Sequence, residues 1–363
     1  MPSVAPASST TAAGRVTALK NQYFVCPIYQ DEPDSWDPFT RDRIREHSQL
    51  DYLGRMFEVL ERTAQVEGLT FYITWKVDVL PRYGPDVVAI VLGDECGRYP
   101  MYTRRVRAVF KMLGTDFPLD ASPLRTPIPL TAVTAAKYAR TQVLRSPHVL
   151  RRAWDRAVGL MGGKKGVLFD IPLGYYSQDD LPIKPLADRS YDLYFSGSLS
   201  NANYPWYAPQ YWLRTPKDVA RSRLVKAMSQ IEDARPDLSL VIDAMTAYVP
   251  NGPKAESTTP ARSYSEMMMD TRICPVPRGT RLETARLYEA LRYGCVLITE
   301  PLPDRWFLTG LPHVVVHDWA ELPTLVDELV GNPERMESLH KASLAWWRER
   351  CSEERSEERR VGK

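Results

Sequence analysis

Apolar positions recur along the chain in two periods. Tyr23–Ile28, Leu69–Trp75 and Val87–Leu92 are short apolar runs with the composition of strands, and the third, nearly all apolar, reads as a central one. Between the first two, Ile44, Leu50, Leu53, Phe57 and Leu60 return at helical spacing over Arg41–Gln65. Val106–Leu113 suits a strand or a helix and reads better as a strand. Thr131–Gly159 is mostly helical in pattern, with Pro147 its only proline, and Gly166–Phe169 closes this part of the chain. Residues 171–190, rich in charge and in proline (Pro172, Pro182, Pro185), read as a linker. A second alternating series follows: strand at Tyr191–Phe195, helix at Asp218–Ala234, strand at Leu238–Asp243, loop at Pro250–Pro260, helix at Ser263–Asp270, strand at His313–Val316, helices at Leu322–Val330 and Glu334–Arg350. This predicts an α/β chain with a tail at 1–21, a first domain at 22–170, the linker, a second domain at 191–332 and a C-terminal helix and charged tail at 333–363.

The most informative stretch is Ile273–Thr299. Ile273, Val276 and the run Val296–Thr299 suit buried strands, while Leu282, Leu287, Ala290 and Leu291 sit at helical spacing and Gly294 stops the helix. Strand, helix and strand within so short a span make a βαβ unit of a parallel sheet. Arg278, Gly279 and Arg281 fall in its loop, at the carboxyl end of the first strand. Ligands of open α/β sheets bind at that face, a helix N-terminus there attracts anions, and arginine forks suit phosphate. On such a unit these residues also fit a solvated loop, with Glu289 an exposed helix glutamate.

Composition adds limits. The 363 residues are 44% hydrophobic and 25% charged with a net charge of +2, ordinary for a globular chain and without a bulk attraction for nucleic acid. Cys26, Cys96, Cys274, Cys295 and Cys351 form no C-x-x-C pair and read as free thiols, with Cys26, Cys274 and Cys295 in apolar, buried contexts. No apolar run is long enough to span a bilayer, and the first residues lack a secretory h-region.

Pro277-Arg278-Gly279 followed by RLYEALRYGCVLI resembles the donor-binding segment of exostosin-like glycosyltransferases. Weaker echoes lie in order at Gly93–Lys111, Ile171–Tyr175 and Tyr194–Ser198. The resemblance implies a GT-B fold, two Rossmann-like domains facing across a cleft, and inverting transfer of a sugar from a uridine or guanosine diphosphate donor to a glycan or other hydroxyl acceptor. It implies that Arg278 meets the donor diphosphate and Glu289 the ribose. Members in animals are anchored in the secretory pathway; without such a segment in this sequence, the expectation is a cytoplasmic enzyme, with peripheral membrane association left open.

Around that core, further residues are candidates. Gly197 and Ser198, after the first strand of the second domain, allow close approach of backbone to phosphate, or form an ordinary turn. Asp94 and Glu95 follow the strand Val87–Leu92, where a carboxylate serves as the base that takes the acceptor proton. Asp94 is the preferred one, Asp78 the next in line, and capping of the following turn the competing reading. Arg98, Tyr99 and Tyr102 are candidates for holding the acceptor. Tyr204, Trp206, Tyr207, Tyr211 and Trp212 suit sugar faces or a packed loop. No G-x-G-x-x-G, Walker A, D-x-D or G-x-S-x-G occurs, so the expectation is no bound cofactor and no metal. A catalytically silent scaffold of the same fold and a nucleotide-sugar epimerase remain as alternatives.

Overall fold

The structure is a computed structural model describing residues 19–28, 32–40, 50–63, 66–115, 132–176, 179–199, 207–208, 215–245 and 263–352. The expected helix over 41–49, the loop 250–260, both charged or small-residue tails and all of the aromatic candidates except Tyr207 lie outside them. The first sheet contains β1 (Gln22–Cys26), β2 (Asp34–Ser35), β3 (Thr70–Thr74), β4 (Gly84–Val91), β5 (Val106–Met112) and β6 (Leu168–Ile171), with helix α1 (Leu50–Thr63) after β2 and α2 (Ala132–Leu160) after β5. Its order is β2-β1-β3-β4-β5-β6, parallel except for the two-residue edge strand β2. Val106–Met112 is thus a strand, and β4 lies in the interior of the sheet. The edge strand β2, too short for any periodicity, was not foreseen.

The second sheet contains β7 (Tyr191–Ser198), β8 (Leu240–Met245), β9 (Thr271–Val276), β10 (Val296–Thr299) and β11 (His313–Val315). Helix α3 (Pro216–Ala234) precedes β8, α4 (Tyr264–Met269) precedes β9 and α5 (Ala285–Arg292) joins β9 to β10. Helices α6 (Leu322–Val330) and α7 (Pro333–Arg350) follow β11. All five strands are parallel, in the order β11-β10-β9-β7-β8. The chain therefore reverses its winding between β7 and β9, and a doubly wound sheet binds its ligand in the crevice at that switch point.

Two parallel sheets in one chain give the α/β, GT-B class. Their carboxyl ends face each other. Arg281, after β9, donates to the carbonyl of Leu113 at the end of β5 (2.8 Å), and Arg305 donates to the same oxygen (2.8 Å). One apolar cluster runs from Tyr23, Phe57 and Ile73 of the first domain through Tyr175 and Trp347 to Leu287, Tyr288 and Leu291 of the second. The C-terminal helix α7 returns to the first domain: the Cys351 carbonyl accepts from the Tyr52 hydroxyl at 3.0 Å, and Trp347 packs on Tyr175. Residues 171–190 are not a free tether. Leu173 N–H donates to Glu283 (2.9 Å), Asp179 N–H to Ser265 (3.1 Å), and Arg189 to the carbonyl of Thr271 (2.6 Å), which pins the segment to the second domain.

Candidate active site

The loop after β9 collects buried polar atoms that find no hydrogen-bond partner among the described residues. Arg278 is 2% exposed; its Nε lies 2.9 Å from Glu300, while Nη1 and Nη2 are buried with no hydrogen-bond partner among the described residues. The hydroxyl of Thr284, at the N-terminus of α5, and Nε of Arg286 are in the same state. A buried donor without a partner costs roughly 1–3 kcal/mol. Several within nine residues, at a strand's carboxyl end, describe a place made for an acceptor-rich ligand.

Gly197 and Ser198, at the end of β7, form the opposite wall of the switch-point crevice. Arg221 of α3 donates to the Ser198 carbonyl and hydroxyl (both 3.1 Å) and to the Arg278 carbonyl (3.3 Å), tying the two loops together. A Cβ at Gly197 would stand 3.2 Å from Nη2 of Arg286 and 3.4 Å from Nη1 of Arg221, so the glycine lets both guanidinium groups lie close to this backbone. Arg286 also lies over the Phe195 ring, 4.8 Å from its centroid. Burial, and next the neighbouring charge of Arg286, push the Arg221 guanidinium down to about 10. Burial would lower Arg286 as well, but Tyr264, Cys274 and Glu289 outweigh it and hold that guanidinium above its ordinary value. Arg221, Arg286 and Lys217 were not singled out from sequence, because α3 lies far from the loop in the chain and Arg286 reads as one more helix cation.

The other donor-side candidates are placed differently. Arg281 reaches across to Leu113, so its guanidinium joins the domains as well as facing the crevice. Gly279 closes the loop through its N–H to the Arg281 carbonyl (2.9 Å). Glu289 is buried rather than on a solvated helix face. It accepts from the Tyr264 hydroxyl (2.8 Å) and Tyr176 N–H (3.3 Å); burial raises its pKa, which those bonds and Arg286 oppose. Glu283, also unforeseen, accepts from Tyr288 (2.6 Å) and Leu173 and faces Arg305 at 3.6 Å.

Across the cleft, the two adjacent carboxylates part company. Asp94 is buried, accepts from Arg98 N–H (2.7 Å) and Nε (3.0 Å), and pairs with the fully buried Lys111 at 3.0 Å. Burial alone would raise its pKa, but Lys111 and Arg98 outweigh it and the carboxyl is held below the usual range. An anion held so firmly is a poor proton acceptor, which reverses the preference for Asp94 over its neighbour. Glu95 is exposed and close enough to Lys217, in the first turn of α3, for the two charges to interact across the cleft. Arg98, meant for the acceptor, is spent on Asp94 and, at 3.6 Å, on Asp78. Tyr99 and Tyr102 are core residues: their hydroxyls donate to Asp155 (3.0 Å) and to the Lys76 carbonyl (2.9 Å), and burial raises both phenols. Neither can reach an acceptor. Asp78 is well exposed, between Arg98 and His148, whose Nε2 lies 3.5 Å away.

No family model matches the chain. A segment is 35% identical over 80 residues to Exostosin-1a of Danio rerio, and over 83 residues to Exostosin-1b of the same organism at the same identity; each match covers 22% of this chain and 10% of the relative. The chain thus matches about a tenth of the length of these curated relatives. Among solved structures, the GtfA/B complex aligns at TM-score 0.39 and 12% identity over 87% of this chain and 59% of that one. Sucrose-phosphate synthase from Thermosynechococcus elongatus aligns at TM-score 0.38 and 15% identity over 86% and 92%.

Proposed function

We propose that the chain is a glycosyltransferase that moves a sugar from a nucleoside diphosphate donor to a hydroxyl acceptor, with inversion at the anomeric carbon. The observation that carries the reading is the buried, unsatisfied end of Arg278 at the β7/β9 switch point, with Thr284, Arg286, Arg221 and the Gly197 backbone around it. A diphosphate presents the acceptor oxygens and negative charge these groups lack. As the sugar–phosphate bond breaks, charge grows on the leaving diphosphate; pre-aimed guanidinium groups stabilise it with no reorganisation, so the chemistry asks for no metal. Ser198 and the Gly279 loop shape the crevice, and Arg281 holds the two walls of the cleft together while adding charge. Glu289, positioned by Tyr264 and the Tyr176 N–H, takes the ribose hydroxyls.

Glu95 is the base. It sits at the carboxyl end of a buried strand, in the domain opposite the donor, and is free to accept the proton of the attacking hydroxyl. Asp94 and Arg98 brace the loop that presents it. The sugar, the glycan acceptor and a cytoplasmic setting belong to the same proposal.

Calorimetry with a nucleoside diphosphate and with the bare nucleoside tests the donor site. Arg278→Ala weakens diphosphate binding by about 1.5–3 kcal/mol and leaves the nucleoside nearly unaffected. Glu289→Gln weakens both ligands alike. Equal losses for the two ligands in Arg278→Ala would remove the diphosphate from this crevice.

A further inference from the structure

Helix α2 is amphipathic the wrong way round for a helix of a globular core. Arg145, His148 and Asp155 face inward: Arg145 donates to the carbonyls of Gly97 (3.2 Å) and Thr115 (2.8 Å), His148 Nδ1 to that of Tyr99 (2.7 Å), and Asp155 accepts from Tyr99. The opposite face, at spacings of three and four, carries Val143, Pro147, Leu150, Trp154, Ala157 and, just past the helix end, Met161. All are exposed, Leu150 by 71% and Trp154 by 59%. A contiguous apolar stripe of this length on the outside of a folded chain marks an interaction surface.

Charge decides what covers it. The only acid of α2 is Asp155, and that is buried. Arg140 on the helix, and Lys164 and Lys165 just beyond it, are exposed near the stripe. A second copy docking through this face would set these cations against their own equivalents with no carboxylate on the face to pair them. An anionic bilayer surface offers the two things the face lacks, acyl chains for Trp154 and Leu150 and negative headgroups for the flanking cations.

We infer that the outer face of α2 lies flat on an anionic lipid surface, its apolar stripe at the acyl boundary. No helix among the described residues is long and apolar enough to cross a membrane, so the association is peripheral. The inner side of the same helix borders the cleft: the Tyr138 phenol, raised by burial, is pulled down by Arg278 and Arg281. Docking through α2 would therefore hold the cleft beside the bilayer. This inference does not rest on the proposed reaction.

The test is co-sedimentation of the full chain with phosphatidylcholine vesicles, with and without about one-third phosphatidylserine. The protein sediments with the anionic vesicles and far less with the neutral ones. The double variant Leu150→Glu, Trp154→Glu loses binding with its melting temperature kept, since both side chains are exposed. Arg140→Glu lowers the partition coefficient about fivefold or more. Absence of binding to anionic vesicles, or undiminished binding by the double variant, overturns the inference. So does a dimer in sedimentation equilibrium that the double variant dissociates when no vesicle binding is seen, which would assign the face to a second copy.

Discussion

Asp94 and Glu95 are neighbours in sequence with opposite fates, and the difference is testable. Both lie in the turn that follows β4, where the Gly97 N–H donates to the Asp94 carbonyl at 3.2 Å. One enters the interior and meets Lys111, and the other stays in the cleft. Glu95→Gln lowers turnover by about 10²–10⁴-fold with donor affinity and melting temperature unchanged. Asp94→Asn acts through stability instead, because it leaves Lys111 buried opposite no anion; the loss is about 3 kcal/mol in denaturant titration. Wild-type turnover in Glu95→Gln would move the base elsewhere, and Asp78 is then the carboxylate to replace.

At the scale of elements, the α5–β10 junction is packed directly against α7. Gly294 ends α5 with φ +70°, a left-handed turn that L side chains resist. It also leaves no room: a Cβ there would stand 2.7 Å from Leu344 Cγ and 2.8 Å from His340 Nδ1 of α7. Gly294→Ala therefore costs about 1–3 kcal/mol, read as a lowered denaturation midpoint with the slope preserved. His340 gives the same junction a pH dependence. It is buried, its Nδ1 donates to the Gly294 carbonyl at 2.6 Å, and burial lowers its pKa below the ordinary 6.5. The unfolded chain thus binds the proton more readily than the folded one. The contribution to stability is complete above pH 6.5 and is lost as pH falls through the lower, folded value. His340→Gln flattens the acid limb of the stability profile between these limits; an unchanged limb assigns it to other groups.

For the molecule as a whole, the domains are joined by more than a linker. Leu113 adopts φ 60°, uncommon for a branched residue, and its carbonyl takes bonds from both Arg281 and Arg305. The apolar cluster spans both sheets, and α7 packs on each domain. Such an arrangement unfolds as one unit. Far-UV circular dichroism and tryptophan fluorescence give coincident denaturant transitions; two separated transitions would show that the domains are independent.

Local pattern was enough to determine the class of the chain. Strand and helix are written in neighbouring residues, so β4, β5, α6 and the β9–α5–β10 unit fall close to the stretches read from periodicity. The donor loop could be picked out because its arginines and glycine are contiguous with that unit. Partnership between distant residues is not written locally, and only the tertiary structure decided it. Tyr99 and Tyr102 looked available beside a strand end, yet α2 and the loop after β3 close over them. Asp94 became an ion-pair anion because Lys111 of the adjacent strand β5 turns inward beside it. Arg221 and Arg286 entered the crevice because the sheet order brings β7 next to β9 and carries α3 and α5 to its mouth. Burial and charge pairing are properties of neighbours in space, and the sheet topology, not the order along the chain, sets which residues those are.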